Sequence, residues 1–132
     1  MVSGVAGQPQ GDGAAAKGRF GVNVRPVGGA VVLALSGELD HDTAEPLREA
    51  LADAVEAAPD QIVVDCANLS FCDSTGLNVL LRARLAAREA GSRLALSALR
   101  PPVARMFDIT GAHAVFPVYA GLDEALADER PK

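Results

Sequence analysis

The chain has few of the residues from which metal and redox sites are built. Its 132 residues include two cysteines, two histidines and two lysines, and the lysines, Lys17 and Lys132, lie near the chain ends. Cys66 and Cys72 form no CxxC pair, and no histidine or further cysteine lies close to them in the sequence. We therefore predict two reduced, structural thiols and no bound metal.

Clustered positive charge is also missing. The formal net charge is −5 and the sequence pI is about 4.9, with no run rich in lysine or arginine. Nucleic-acid affinity comes largely from clustered cations that contact phosphates. DNA or RNA is therefore not an expected direct partner.

Long apolar runs are absent as well. No stretch approaches the roughly 20 apolar residues that a membrane-spanning helix needs. The first residues also lack the charged segment followed by an apolar segment that is typical of a signal peptide. These absences predict a soluble protein of the cytoplasm that does not contact the membrane.

The motifs of several enzyme classes are not found. There is no glycine-rich phosphate loop of the Walker or Rossmann type. Ser74 lacks the G-x-S-x-G elbow of many serine hydrolases, and neither histidine is marked as its base. A receiver-like domain phosphorylated on Asp65 stays open as an alternative, because the pattern places Asp65 at the end of an apolar strand, but no lysine lies in a late strand. We expect no catalytic activity and no cofactor.

What the sequence does contain is enough apolar surface for one domain. Hydrophobic residues make up 49% of the chain, so one modest core is possible at this length. Residues 1–19 are rich in glycine, alanine, proline and glutamine, which cannot offset the entropy lost on ordering. We predict a flexible tail over 1–19, a domain over 20–127 and a short tail over 128–132.

The apolar patterns predict an α/β domain with the order β-β-α-β-α-β-α-β-α and a mixed, mostly parallel sheet. Residues 61–69 form a nearly continuous apolar run, typical of a strand buried on both faces. Residues 114–119 are the predicted last strand. The apolar stripe predicted for the helix after the central strand consists of Leu77, Leu80, Leu81 and Leu85.

A polar cluster, LSFCDSTGLNVLL (69–81), lies where the central strand ends and a helix begins, the edge at which α/β sheets meet ligands and partners. Asp73 or Ser74 could simply cap the helix. Alternatively, Ser74 is a phosphate acceptor held by the amides and partial positive charge of the helix N-terminus. Gly76 costs up to about 1 kcal/mol in a helix, which indicates either internal packing or close approach of another chain.

A second polar cluster, GELDHDTAEPL (37–47), lies between a strand and a helix. Asp42 as N-cap, with Glu45 three residues later, predicts a capping box for that helix. This interpretation leaves Asp40 and His41 unexplained. A metal or titrating role for His41 is the less favoured alternative, because a lone loop histidine is usually solvated.

These two clusters, together with PPVARMFDITG (101–111), resemble the stand-alone STAS-domain anti-sigma factor antagonists of bacteria over about Phe20–Ala127. The resemblance implies a STAS fold and a function by partner switching. The unmodified antagonist would bind an anti-sigma factor that is also a serine protein kinase, and so free a sigma factor. Phosphorylation by that kinase would end the complex, and a serine phosphatase would restore it.

The resemblance also implies roles for individual residues. Ser74 matches the phosphorylated serine, Thr75 the second hydroxyl position and Asp40 the last residue of the G-E-L-D motif. The expected partner-binding residues are Asp40, Asp73, Thr75, Gly76 and Asn78. Asn78 is an unexpected polar group beside the acceptor. A STAS adaptor in another signalling or transport assembly remains the alternative function.

Overall fold

A five-stranded sheet organises the domain, seen in a computed structural model that describes residues 19–128. The strands, in their order across the sheet, are β1 (Phe20–Val27), β2 (Ala30–Leu39), β3 (Gln61–Cys72), β4 (Arg93–Ser97) and β5 (Val118–Tyr119). Only the β1–β2 pair is antiparallel. The helices are α1 (Ala44–Ala57), α2 (Ser74–Glu89), α3 (Pro101–Thr110) and α4 (Leu122–Ala127). The predicted fold class and element order are confirmed.

The predicted tails lie outside the described residues, apart from Arg19 and Asp128. Within residues 19–128, no helix is both long enough and apolar enough to cross a membrane.

The core lies on both faces of the sheet. One large cluster of buried side chains joins the sheet to α1, α2 and α3, and a small cluster of Val32, Val63 and Ala125 lies under α4. Ile62, Val63 and Val64 are all fully buried, which confirms β3 as a strand covered on both faces.

The central strand is longer than the apolar run that predicts it. β3 continues to Cys72, so Asp65 lies inside the strand. The sequence pattern places it at the end of the strand. The Asp65 carboxylate accepts a hydrogen bond from the Ala67 amide at 3.1 Å. The placement of Asp65 at a strand end, on which the receiver-like alternative depended, is wrong.

The last predicted strand is mostly not a strand. Within residues 114–119 only Val118 and Tyr119 pair with β4, and a 3-10 helix spans Ala112–Ala114. The apolar residues before the strand serve packing instead, since the buried Phe116 ring lies against Phe107 with 5.9 Å between ring centroids.

Helix α2 packs through a different stripe from the predicted one. Leu77 and Leu80 are buried as expected, but Leu85 is 54% exposed. The buried positions instead continue through Ala83 and Ala87, which keep a helical repeat of three and four residues. The predicted stripe contained only leucines. In the structure, Ala83 and Ala87 lie on the buried face of the helix in place of Leu85.

Candidate partner-binding site

The two polar clusters meet at the carboxyl ends of β2 and β3. These strands are parallel neighbours, with Leu39 opposite Cys72, so the segments that follow them leave the sheet side by side. The Asp73 amide donates to the Leu39 carbonyl at 3.1 Å. The Ser70 hydroxyl donates to the Gly37 carbonyl, also at 3.1 Å. The structure thus brings together the two motifs that lie about 30 residues apart in the sequence.

The Asp73 carboxylate joins these segments directly. Its Oδ1 accepts a hydrogen bond from the Gly76 amide at 3.0 Å, so Asp73, and not Ser74, caps α2. Its Oδ2 accepts from the His41 amide at 3.1 Å. One side chain therefore fixes both the start of α2 and the loop after β2.

Ser74 is left free by this arrangement. It is the first residue of α2 and is exposed, and its hydroxyl has no hydrogen-bond partner among residues 19–128. Asn78, four residues further along the helix, is also exposed and lies on the same side of α2. Thr75 is half-buried. The acceptor predicted from the sequence is thus accessible at a helix start that Asp73 caps.

Gly76 is explained by packing within the domain. It is buried, and a Cβ atom there would lie 2.6 Å from Cγ and 2.8 Å from Cδ2 of Leu39, and 3.2 Å from Sγ of Cys72. The absence of a side chain therefore lets α2 approach β2 closely. Of the two explanations open from the sequence, the packing one accounts for this glycine.

Asp40, unexplained from the sequence, builds the loop after β2. Its Oδ1 accepts hydrogen bonds from the amides of Asp42 at 2.9 Å and Thr43 at 3.1 Å, and its Oδ2 lies 3.5 Å from Nη1 of Arg19. It is partly exposed, so the same carboxylate also contributes charge to the surface. Asp40 thereby gives the loop its shape.

The capping box predicted at Asp42 is wrong. Helix α1 begins at Ala44, and Thr43 occupies the N-cap position without a side-chain cap. The Thr43 hydroxyl instead donates to the Glu38 carbonyl at 2.8 Å. Glu45 pairs with Arg48 on the exposed face of the helix. The turn formed by Asp40 shifts the helix start past Asp42.

Two residues of the site were missed from the sequence. Gly37 has φ of +89°, and a Cβ atom there would lie 1.5 Å from the Arg19 carbonyl oxygen, so no other residue fits without a shift of the chain. Phe71, an apolar residue of the 69–81 cluster to which the sequence pattern gave no role, is 46% exposed. Its position at a strand end beside the acceptor was the available signal.

Replacing Asp73 should destabilise the domain, because two amides would lose their acceptor. We expect Asp73→Ala to lower the free energy of unfolding by about 2 kcal/mol. Asp42→Ala, at the other predicted cap, removes an exposed side chain and should change it by less than about 0.5 kcal/mol. Urea unfolding of both variants tests this difference. Equal effects would contradict the assignment of the cap.

The two cysteines are free and buried, as predicted. Burial, and to a smaller extent the nearby Asp73 carboxylate, raises the pKa of the Cys72 thiol to about 12 from its ordinary value of 9.0. Burial also raises the pKa of the Cys66 thiol. Both groups stay protonated and unreactive near neutral pH.

These raised pKa values predict a loss of stability at high pH. Above pH 9 the unfolded chain releases thiol protons that the folded chain keeps, so each thiol lowers stability by up to about 1.4 kcal/mol per pH unit. Below that pH the contribution is fully present. Urea unfolding between about pH 8 and pH 10 should show a shallower decline for the double variant Cys66→Ala, Cys72→Ala than for the wild type. Parallel declines would contradict the prediction.

No cluster of three histidine, cysteine, aspartate or glutamate side chains that could hold a metal ion occurs in the described part of the chain. The His41 side chain is exposed, and only its backbone amide takes part in the contacts of the site.

Comparison with known proteins identifies the family. A family model described as "Mlab, STAS domain" matches residues 22–118. The anti-sigma F factor antagonist of Paenibacillus polymyxa is 34% identical over 101 residues, which cover 76% of this chain and 86% of that relative. The chain therefore belongs to the STAS-domain anti-sigma factor antagonists, as the resemblance implied.

Solved structures agree with this assignment. An anti-sigma factor antagonist from Mycobacterium paratuberculosis superposes with a TM-score of 0.75 at 30% identity, over 81% of this chain and 91% of that one. The Bacillus cell fate determinant SpoIIAA, in its phosphorylated form, superposes with a TM-score of 0.67 at 27% identity, over 83% of this chain and all of that one. Sequence family and fold thus lead to one conclusion: this chain is a member of the STAS-domain family of anti-sigma factor antagonists.

Proposed function

We propose that this protein is a phosphorylation-switched anti-sigma factor antagonist of the cytoplasm. In its unmodified form it binds an anti-sigma factor that is also a serine protein kinase, and so frees a sigma factor. Phosphorylation of Ser74 by that kinase ends the complex, and a serine phosphatase restores it. The protein itself is a regulator without catalytic activity. The observation that carries the proposal is the exposed Ser74 hydroxyl at the capped start of α2, which has no hydrogen-bond partner within residues 19–128.

The position of Ser74 suits a reversible switch. A kinase needs an accessible hydroxyl, and this one makes no hydrogen bond to the described part of the chain that phosphorylation would have to break. The first-turn amides and the partial positive charge of the helix N-terminus favour a phosphate there. The modification would add about −1.5 to −2 charges at the surface while leaving the core untouched.

The surroundings of Ser74 supply the reason why the modification would end binding. Asp73 precedes it, and Asp40 and Glu38 lie on the adjoining segment, which is already acidic. Among residues 19–128, Arg19 forms ion pairs with this loop, and its Nη1 lies 3.5 Å from the Asp40 carboxylate. A phosphate enclosed in a docked interface would therefore depend on the partner for cations, or be desolvated without compensation.

The relatives support the same proposal. Curated relatives are named as antagonists of anti-sigma factors, and one superposed structure is of a relative in its phosphorylated form. Asp40, Thr75 and Asn78 would flank the switch at the partner surface. Asp73 and Gly76 would shape that surface from below, through the cap and the close approach of α2 to β2.

A STAS adaptor in another signalling or transport assembly is the second candidate, because the description of the matching family model, "Mlab, STAS domain", names no sigma-factor regulator. The two functions predict different partners. Purified protein should be mixed with candidate serine-kinase anti-sigma factors from its own organism and the complexes resolved by size-exclusion chromatography. A complex with one of them supports the proposed function. Binding to none of them, with capture of a transport subunit instead, would favour the adaptor.

A further inference from the structure

Phe71 is an exposed aromatic side chain beside the proposed switch. Large hydrophobic side chains that are exposed within residues 19–128 are Val24, Phe71, Leu85, Ile109 and Val115. Phe71 is the aromatic member of this set, and it is 46% exposed. Single exposed apolar residues are common on protein surfaces, so its meaning depends on where it lies.

Phe71 lies near the carboxyl end of β3, at a position that the helices within residues 19–128 do not bury. Side chains of directly paired residues in parallel strands share a face, and Phe71 is paired with Glu38, which is also exposed. Leu39 and Cys72, the next pair, point to the other face and are buried. The short helix α4 packs through Ala125 on Val32 and Val63, and Val63 lies eight residues before Phe71 along β3. The ring is therefore available to a partner.

Phe71 and Ser74 lie close enough to belong to one interface. Three residues of extended chain span at most about 11 Å. A protein interface of ordinary size covers about 800 Å² on each partner and is therefore wider than this distance. An interface centred on Ser74 is therefore wide enough to include Phe71 as well.

The surface around the ring is acidic. Segments 37–43 and 69–78 contain four carboxylates and no lysine or arginine; the carboxylates are those of Glu38, Asp40, Asp42 and Asp73. Arg19 offsets part of this charge, with its Nη1 3.9 Å from Glu38 and 3.5 Å from Asp40. One aromatic side chain thus lies within a surface of net negative charge.

We propose that Phe71 is the aromatic anchor of the partner surface, and that the partner supplies an apolar pocket surrounded by arginine or lysine side chains. Buried aromatic anchors carry much of the binding energy in interfaces, whereas charges at the rim mainly set the association rate. The inference rests on the proposed function, since the partner is the kinase anti-sigma factor. It adds the chemistry by which that partner recognises the unmodified protein.

Kinetic measurements with single variants test the anchor. Binding to the anti-sigma factor that forms a complex with the wild type should be followed by biolayer interferometry at low and high salt. Phe71→Ala should raise the dissociation rate at least tenfold at both salt concentrations. Asp42→Asn should lower the association rate at low salt only, because salt screens an exposed charge. Ile109→Ala, an exposed apolar change at the far end of α3, is the control and should stay within twofold.

A second Phe71 variant and the binding of the wild type separate loss of the anchor from unfolding and from failure of the proposed function. Phe71→Thr removes the ring but keeps a residue that suits a strand, so it replaces Phe71→Ala if circular dichroism shows that the alanine variant is unfolded. Phe71 variants that bind like Ile109→Ala, while the wild type binds, would overturn the anchor and leave the proposed function standing. Failure of the wild type to bind any kinase anti-sigma factor would overturn both.

Discussion

Phosphorylation of Ser74 should weaken the complex with the kinase anti-sigma factor by at least about 100-fold, equivalent to about 2.8 kcal/mol. The physical reason is the placement of a phosphate in an acidic surface whose Arg19 cation already lies close to Asp40. A buried, uncompensated charge in an interface costs several kcal/mol. The domain itself should keep its fold, because Ser74 is exposed and the cap of α2 is made by Asp73.

Calorimetry with the phosphorylated and the phosphatase-treated protein measures this loss and its recovery. Ser74→Ala should bind like the wild type. Ala90→Glu is a control for added charge, since it lies on the exposed C-cap of the same helix, about 24 Å from Ser74 at 1.5 Å per residue. It should leave the affinity unchanged. Equal affinity of the phosphorylated and unmodified proteins, or amide NMR shifts spread over the whole domain, would contradict the expectation.

Gly76→Ala should destabilise the domain by about 1 to 3 kcal/mol, although alanine is the better helix former by about 1 kcal/mol. The new methyl group would lie 2.6 Å from Cγ of Leu39, which is itself fully buried, so the side chain or the helix must shift within the core. Thermal and urea unfolding measure the loss. Asn78→Ala, at an exposed position on the same helix, should change stability by less than about 0.5 kcal/mol.

A double-mutant cycle shows whether Leu39 is the cause. Leu39→Ala alone removes core packing, but in the Gly76→Ala background it also relieves the clash. The cost of Leu39→Ala should therefore be smaller in that background, by about 0.5 to 3 kcal/mol. Additive effects of the two substitutions would show that Gly76 is needed for another reason.

The arrangement of the elements could be predicted from the sequence, because apolar periodicity and turn residues act locally. The nearly continuous apolar run of residues 61–69, which lies within β3, is an example. The errors arose where tertiary packing decides. Leu85 fits a helical apolar stripe as well as Ala87 does, and only the position of the sheet determines which of them is buried.

The site was predicted in part. Its two motifs are visible in the sequence, but the contact between them is not, because it depends on parallel pairing of β2 and β3 across more than 20 intervening residues. The sequence placed a cap at Asp42, whereas the Asp40 carboxylate folds that loop. It also gave no sign that Asp73 binds the His41 amide. Capping rules describe neighbours along the chain, and these partners come from different segments.

Mass spectrometry after a kinase reaction tests the central claim most directly. The wild type and Ser74→Ala should each be incubated with ATP and the serine-kinase anti-sigma factor that binds the protein, and then analysed as intact masses and as peptides. The account predicts one phosphate on Ser74 of the wild type and none on the variant. A bound kinase that leaves Ser74 unmodified, or that phosphorylates the variant equally well, would contradict it.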